Sequence, residues 1–140
     1  FLIRPAPLPE TLIKADPDLY LRSVMGSRSA GMQPFTDEAY ADYLRCLQLD
    51  GTARGICEDY RASAAVDLQH DQTDVNASRK VRCPLLILWG EKGIVGTCFT
   101  PLEEWAKVAE DVQGEALPCG HYLAEEQPEL LLEKVLPFLR

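Results

Sequence analysis

His121 is the residue in this chain best placed to do chemistry. It stands in Cys119-Gly-His-Tyr122, between a short apolar stretch at 114–118 and an amphipathic stretch at 125–139. Histidine is the commonest general base, and at a turn anchored by a rigid helix its imidazole can take a proton from water. A loop at the C-terminal end of a parallel strand is such a turn, and Gly120 would let the backbone bend tightly beside the ring. Alone, a histidine after a strand is an ordinary polar loop residue. What raises this one is Pro84-Leu-Leu-Ile-Leu-Trp-Gly90 upstream of it, an apolar run bounded by proline and glycine.

The chain has no recognisable nucleophile to go with that base. A Cys119–His121 dyad would need the sulfur within hydrogen-bond reach of the ring at a positive, exposed spot, and neighbours two apart in a tight turn seldom meet that geometry. The spacing of a nucleophile elbow, Gly-x-Ser/Asp/Cys-x-Gly, is matched by Gly51-Thr-Ala-Arg-Gly55, whose central Ala53 cannot attack. His70 lies in the polar stretch Leu68-Gln-His-Asp-Gln-Thr-Asp74 and is expected to be a solvated turn residue between the two halves of the chain. Two histidines 51 positions apart, without paired carboxylate–histidine spacing, make no metal-ligand set. Gly90-Glu-Lys-Gly-Ile-Val-Gly96 lacks the pattern of a phosphate-binding loop. Neither a metal nor a cofactor is expected.

The elements that must position His121 come from a change of character near residue 78. Residues 1–78 carry helical signals without convincing strands. Leu8–Ile13 opens one segment, Asp16 followed by Pro17 caps a second, and Thr36 caps a third with Ala39, Tyr43, Leu44 and Leu47 near one face. A fourth helix is expected over 51–67. Residues 79–140 read as strand, helix, strand, helix. Leu85–Gly90 has the unbroken apolar run of a parallel strand buried on both faces. Thr100 caps a helix beginning at Pro101, 114–118 is a shorter strand, and 125–139 is the last helix, with Leu130, Leu131, Val135 and Leu136 inward. Trp89 and Trp105 are expected in the core, and Tyr40 and Tyr43 are expected to be structural. Two strands cannot complete such a sheet, so further strands are expected upstream of Phe1.

Charge and composition narrow the partners. With 46% apolar and 26% charged residues the chain is of globular composition, and its net charge of −8 argues against nucleic acid or an anionic membrane as a partner. No run approaches the length of a membrane helix. Five cysteines, odd in number and never closer than eleven apart, suggest neither a disulfide framework nor a Cys-x-x-Cys pair, which fits a reducing cytoplasm.

Several stretches together resemble a known family, the haloacetate (fluoroacetate) dehalogenases of the α/β-hydrolase superfamily. They are Pro5-Ala-Pro-Leu-Pro-Glu10, Cys57-Glu-Asp-Tyr-Arg-Ala62, the Pro84–Gly90 strand, Thr100-Pro-Leu, Asp111-Val-Gln-Gly114 and Gly120-His-Tyr-Leu123. Cys57–Ala62 is the most specific, because it falls in the cap, where α/β-hydrolases differ from one another. The resemblance implies an α/β fold made of a helical cap (1–78) and the last two parallel strands and helices of the α/β-hydrolase core (79–140). It implies a small halogenated carboxylic acid as substrate, converted to glycolate through an aspartyl ester. On that resemblance His121 matches the base that activates water, and Tyr60 matches the cap tyrosine that holds the halogen. The nucleophilic aspartate, the arginines for the substrate carboxylate, the acid partnering the histidine and a His-Trp pair for the halide would precede Phe1. The 140 residues alone are then expected to be inactive, and a homodimer is compatible with the family. Glu91, after the first strand, is a weak candidate for the acid.

Two other readings remain open. An epoxide hydrolase uses the same aspartate–histidine logic, with paired cap tyrosines of which Tyr60 could be one, and another α/β-hydrolase, such as an esterase, would instead carry an upstream serine elbow. A non-enzymatic remnant or interaction module would instead use the exposed sheet edge for association.

Overall fold

The computed structural model describes residues 1–28 and 30–140. They divide into two compact units, one of residues 1–24 and 35–77, the other of 25–34 and 78–140.

The first unit is helical, and its helices begin where local chemistry starts them. After α1 (Leu8–Ala15), the Asp16 carboxylate accepts the Leu19 N–H at 2.9 Å and Pro17 occupies the first position of α2 (Pro17–Ser27). Thr36 Oγ1 accepts the Ala39 N–H at 3.1 Å and starts α3 (Asp37–Leu47). Gly51, at φ +85°, turns the chain into α4 (Thr52–Ser63), and α5 (Val66–Asn76) follows. Left-handed backbone of that kind suits glycine, which has no Cβ to clash. The elbow-like spacing at 51–55 is therefore a helix start. Ala53 is buried in the core with Ile13, Leu47 and Cys57, against which Leu21 and Ile56 pack.

Two polar clusters tie the helices together. Arg61 Nη1 pairs with Glu10 Oε1 at 2.7 Å and Glu58 Oε1 at 2.8 Å, while Nε and Nη2 donate to the Arg4 carbonyl at 3.1 and 2.7 Å. A planar guanidinium with donors in fixed directions suits such a multiple grip. The hydrogen bond from Arg61 holds the Glu10 carboxyl below the usual carboxylate range, against the opposing pull of burial. Tyr40 donates its hydroxyl to Asp18 Oδ1 at 2.8 Å, with the Arg22 guanidinium 4.2 Å above its ring.

The second unit holds β1 (Leu85–Gly90), α6 (Ile94–Cys98), α7 (Pro101–Val108), β2 (Val112–Leu117), α8 (Leu123–Glu126) and α9 (Pro128–Phe138). The strands are parallel, in a register that sets Leu85 opposite Val112 and Gly90 opposite Leu117. Gly114 lies across from Ile87, where a Cβ would come within 1.8 Å of the Ile87 carbonyl oxygen, so no side chain fits there.

Several boundaries differ from the sequence reading. The helix expected over 51–67 ends at Ser63, and α5 continues through His70, which lies on an exposed helix and not in a turn. The last helix is two, divided at Gln127, because Pro128 has no N–H to give and restricts the residue before it. The stretch after β1 contains the short α6. Thr100 makes no side-chain cap, leaving Pro101 as the start signal for α7. Leu85–Trp89 are half-buried, while Tyr43, Trp105 and Leu136 are exposed. Among the described residues β1 pairs with β2 alone, so the apolar run is covered on fewer sides than its composition prepares it for.

Candidate functional site

His121 follows β2 through Pro118, Cys119 and Gly120 and is exposed, whereas Cys119 and Gly120 are buried. The parallel pair sets this loop beside the C-terminal end of β1. Glu91 N–H donates to the Leu117 carbonyl at 2.9 Å and Lys92 N–H to the Cys119 carbonyl at 3.0 Å, so the two strand ends are stitched together. Gly90 permits that approach, since a Cβ there would fall 1.7 Å from the Gly120 carbonyl oxygen.

Three consecutive amides of the loop have defined acceptors. His121 N–H donates to the Arg28 carbonyl at 3.1 Å. Glu126, at the end of α8, accepts Gly120 N–H on Oε2 at 2.7 Å and Tyr122 N–H on Oε1 at 3.1 Å. The backbone is anchored while the side chain is left exposed. The ring meets the Tyr122 ring edge-on, with centroids 5.0 Å apart.

His121 borders two spaces, the second more apolar than the first. One is an open pocket of about 580 Å³ whose lining includes Arg28, Lys92, Cys119 and Glu126. The other, about 390 Å³, runs along β1 and is apolar, with Leu88, Trp89, Ile94, Val95 and Trp105 in its wall. Among the described residues no carboxylate bonds the His121 imidazole, Glu91 included, and no group of His, Cys, Asp and Glu could hold a metal ion.

Cys119 is the other reactive side chain in the loop. Burial and, after it, the nearby Glu126 charge push its thiol above the ordinary cysteine value, with Lys92 opposing. Burial does the same to Cys57. The thiolate is the reacting form, so both should be slow towards alkylation. With iodoacetamide near neutral pH, Cys83 and Cys98, which are exposed, should be labelled while Cys57 and Cys119 stay unmodified, as read by peptide mass spectrometry.

Tyr60 belongs to the first unit. On α4 the core residues Ala53 and Cys57 are one helical turn apart, and Arg61 follows Cys57 by four on the same face. Tyr60 stands about 100° round from Arg61, given 3.6 residues per turn. It is 42% exposed, and among the described residues its hydroxyl has no hydrogen-bond partner. Arg61 joins Cys57–Ala62 physically to Glu10, the end of Pro5–Glu10. Two of the stretches that carry the resemblance therefore form one interlocked piece of structure.

The residues that sequence reasoning missed are Glu126 and Arg28. Glu125-Glu126 before a proline is a visible feature, but nothing in it tells which carboxylate turns back to the loop. Arg28 contributes a backbone carbonyl, which leaves no trace in residue type.

Comparison with known proteins agrees with this architecture. No family model matches the chain. It is 32% identical over 130 residues to a fluoroacetate dehalogenase from Burkholderia sp., covering 92% of this chain and 42% of that protein. It is 34% identical over 131 residues to a soluble epoxide hydrolase from Corynebacterium sp. (strain C12), covering 91% of this chain and 43% of the relative. Among solved structures, a protein from Nostoc sp. PCC 7120 assigned as an α/β hydrolase superposes with a TM-score of 0.93 at 45% identity, over 99% of this chain and 47% of that one. The chain thus spans less than half the length of the relatives it matches. With helices followed by a parallel strand pair, and with 45% identity to a neighbour of that fold, it belongs to the α/β-hydrolase superfamily.

Proposed function

We propose that the chain is the base-bearing part of a hydrolase that dehalogenates haloacetate through a covalent ester. The observation that carries this reading is the His121 loop, anchored through its backbone at the end of a parallel strand with its imidazole exposed. The chemistry has two steps. A carboxylate oxygen supplied from outside these 140 residues attacks the halogen-bearing carbon, and the carbon–halogen bond breaks with its electron pair leaving as halide. His121 then removes a proton from water as the water oxygen attacks the ester carbonyl; the ester C–O bond breaks, the glycolate oxygen takes up the proton from the imidazolium, and the new carboxyl group loses a proton to solvent, restoring the carboxylate and the neutral imidazole. Splitting one displacement into two easier steps is the general gain of covalent catalysis. Tyr60 serves as a donor to the departing halide, a role that its unbonded hydroxyl supports.

The epoxide hydrolase relative, at comparable identity, supports a second reading. In it Tyr60 donates to the epoxide oxygen, and His121 keeps its role. Measuring halide release from fluoroacetate and chloroacetate beside turnover of styrene oxide, with the complete protein, separates the two. Halide release above the uncatalysed rate and exceeding epoxide turnover is the expected result; epoxide turnover alone would overturn the dehalogenase assignment. Tyr60→Phe, which removes one hydroxyl and keeps the ring, should slow the first step by about a hundredfold to a thousandfold, as loss of a donor at a developing charge does.

A further inference from the structure

We infer that Glu126 is the positioning residue of the site: its carboxylate clasps the peptide on both sides of His121 and so fixes where the imidazole stands. This rests on the reading of His121 as the base. The grip is specific in geometry. One oxygen takes Gly120 N–H at 2.7 Å and the other takes Tyr122 N–H at 3.1 Å, so both acceptors of one side chain are engaged by the residues immediately before and after the histidine. The His121 N–H between them goes to the Arg28 carbonyl at 3.1 Å. Charge-assisted bonds from backbone amides to a carboxylate are stronger than neutral ones; the bond from Gly120 is short, and both are partly shielded from water.

The clasp is also local to the site. Glu126 ends α8, a four-residue helix that begins two residues after His121, so the loop and its clasp form one closed turn. Gly120 leaves room for this clasp: a Cβ there would lie 3.0 Å from Glu126 Oε1 and 3.2 Å from the Arg28 carbonyl oxygen, tighter than an ordinary contact. A neutral amide cannot replace the carboxylate here. Glutamine has a single acceptor oxygen, and its NH₂ would face one of the two N–H groups, donor against donor.

Glu126→Gln therefore keeps size and shape while breaking half the clasp. In the complete protein kcat should fall by about tenfold to a hundredfold, the scale of a misplaced catalytic group. KM should stay within about twofold, since substrate contacts are not removed. Hydrogen–deuterium exchange of the peptide spanning 119–123 should become faster than in the unsubstituted protein, a change a remote structural role would not confine to this loop. Glu129→Gln, an exposed carboxylate on α9, should leave both readouts unchanged. If Glu126→Gln does not fold, Glu126→Asp, which keeps charge and both acceptors on a shorter stem, should show a smaller loss in the same direction in both assays. Unchanged kcat, or a loss of kcat without faster exchange at 119–123, would overturn the inference. Should the protein hydrolyse neither haloacetate nor epoxide, the functional reading fails, and the exchange measurement alone decides whether Glu126 holds the loop.

Discussion

Replacing His121 by glutamine should stop the protein after its first chemical step. On the proposed two-step mechanism the halide leaves when the ester forms, and the base is needed only to activate water in the second step. His121→Gln should therefore release close to one halide per active site in a rapid phase, and then turn over about a hundredfold to ten-thousandfold more slowly, the usual contribution of a positioned general base. Intact-protein mass should rise by the acetate fragment and stay raised. The substitution tests chemistry and not folding, because the contacts fixing residue 121 are made by backbone atoms: its own N–H to Arg28 and its neighbours' N–H groups to Glu126. The imidazole itself is exposed and can be exchanged without leaving a cavity. Steady-state turnover equal to the unsubstituted protein would remove His121 from the mechanism. Loss of turnover with no rapid halide release would place it in the first step instead.

How far the sequence discloses this arrangement depends on the range of the interaction. Asp16 and Thr36 cap helices through groups three residues away, and both are visible as residue types. Leu85–Gly90 is legible to its ends because proline and glycine bound it. The stop between α4 and α5 is not legible: Ala64 and Ala65 are good helix formers, and no local residue type announces the break. The break at Gln127 is legible in Pro128, whose missing N–H outweighs the apolar periodicity that runs on across it. Long-range grips are the least visible. Arg61 and Glu10 lie 51 positions apart, Arg28 and His121 lie 93 apart, and the latter contact uses a carbonyl that every residue carries. For the site, residue type pointed to His121, and resemblance pointed to Tyr60. The clasp by Glu126 needed coordinates, since either of two adjacent carboxylates would look the same in the sequence.

Gly90 offers the second large effect, and its cause is purely steric. It ends β1, is buried, and faces the backbone of the loop that carries His121. A methyl group at that position would sit 1.7 Å from the Gly120 carbonyl oxygen and 2.9 Å from that of Cys119. Both obstacles are main chain, so no rotamer change relieves them; either the strand end or the His121 loop must retreat. The loop is tied by Glu126 and Arg28 and β1 by its pairing with β2, so Gly90→Ala should cost about 1–3 kcal/mol of stability, as overpacking does. A displacement on the order of 1 Å at the proposed base should in addition lower kcat by about a hundredfold. Gly55→Ala supplies the opposite sign. Gly55 lies within α4 with nothing within 4 Å of an added Cβ, so alanine there should stabilise by about 0.5–1 kcal/mol through helix propensity and leave kcat unchanged. Chemical denaturation and steady-state kinetics on the two variants then separate the close approach at Gly90 from a general response to added methyl groups. A Gly90→Ala protein with unaltered midpoint and kcat would mean that the end of β1 and the His121 loop do not meet as described.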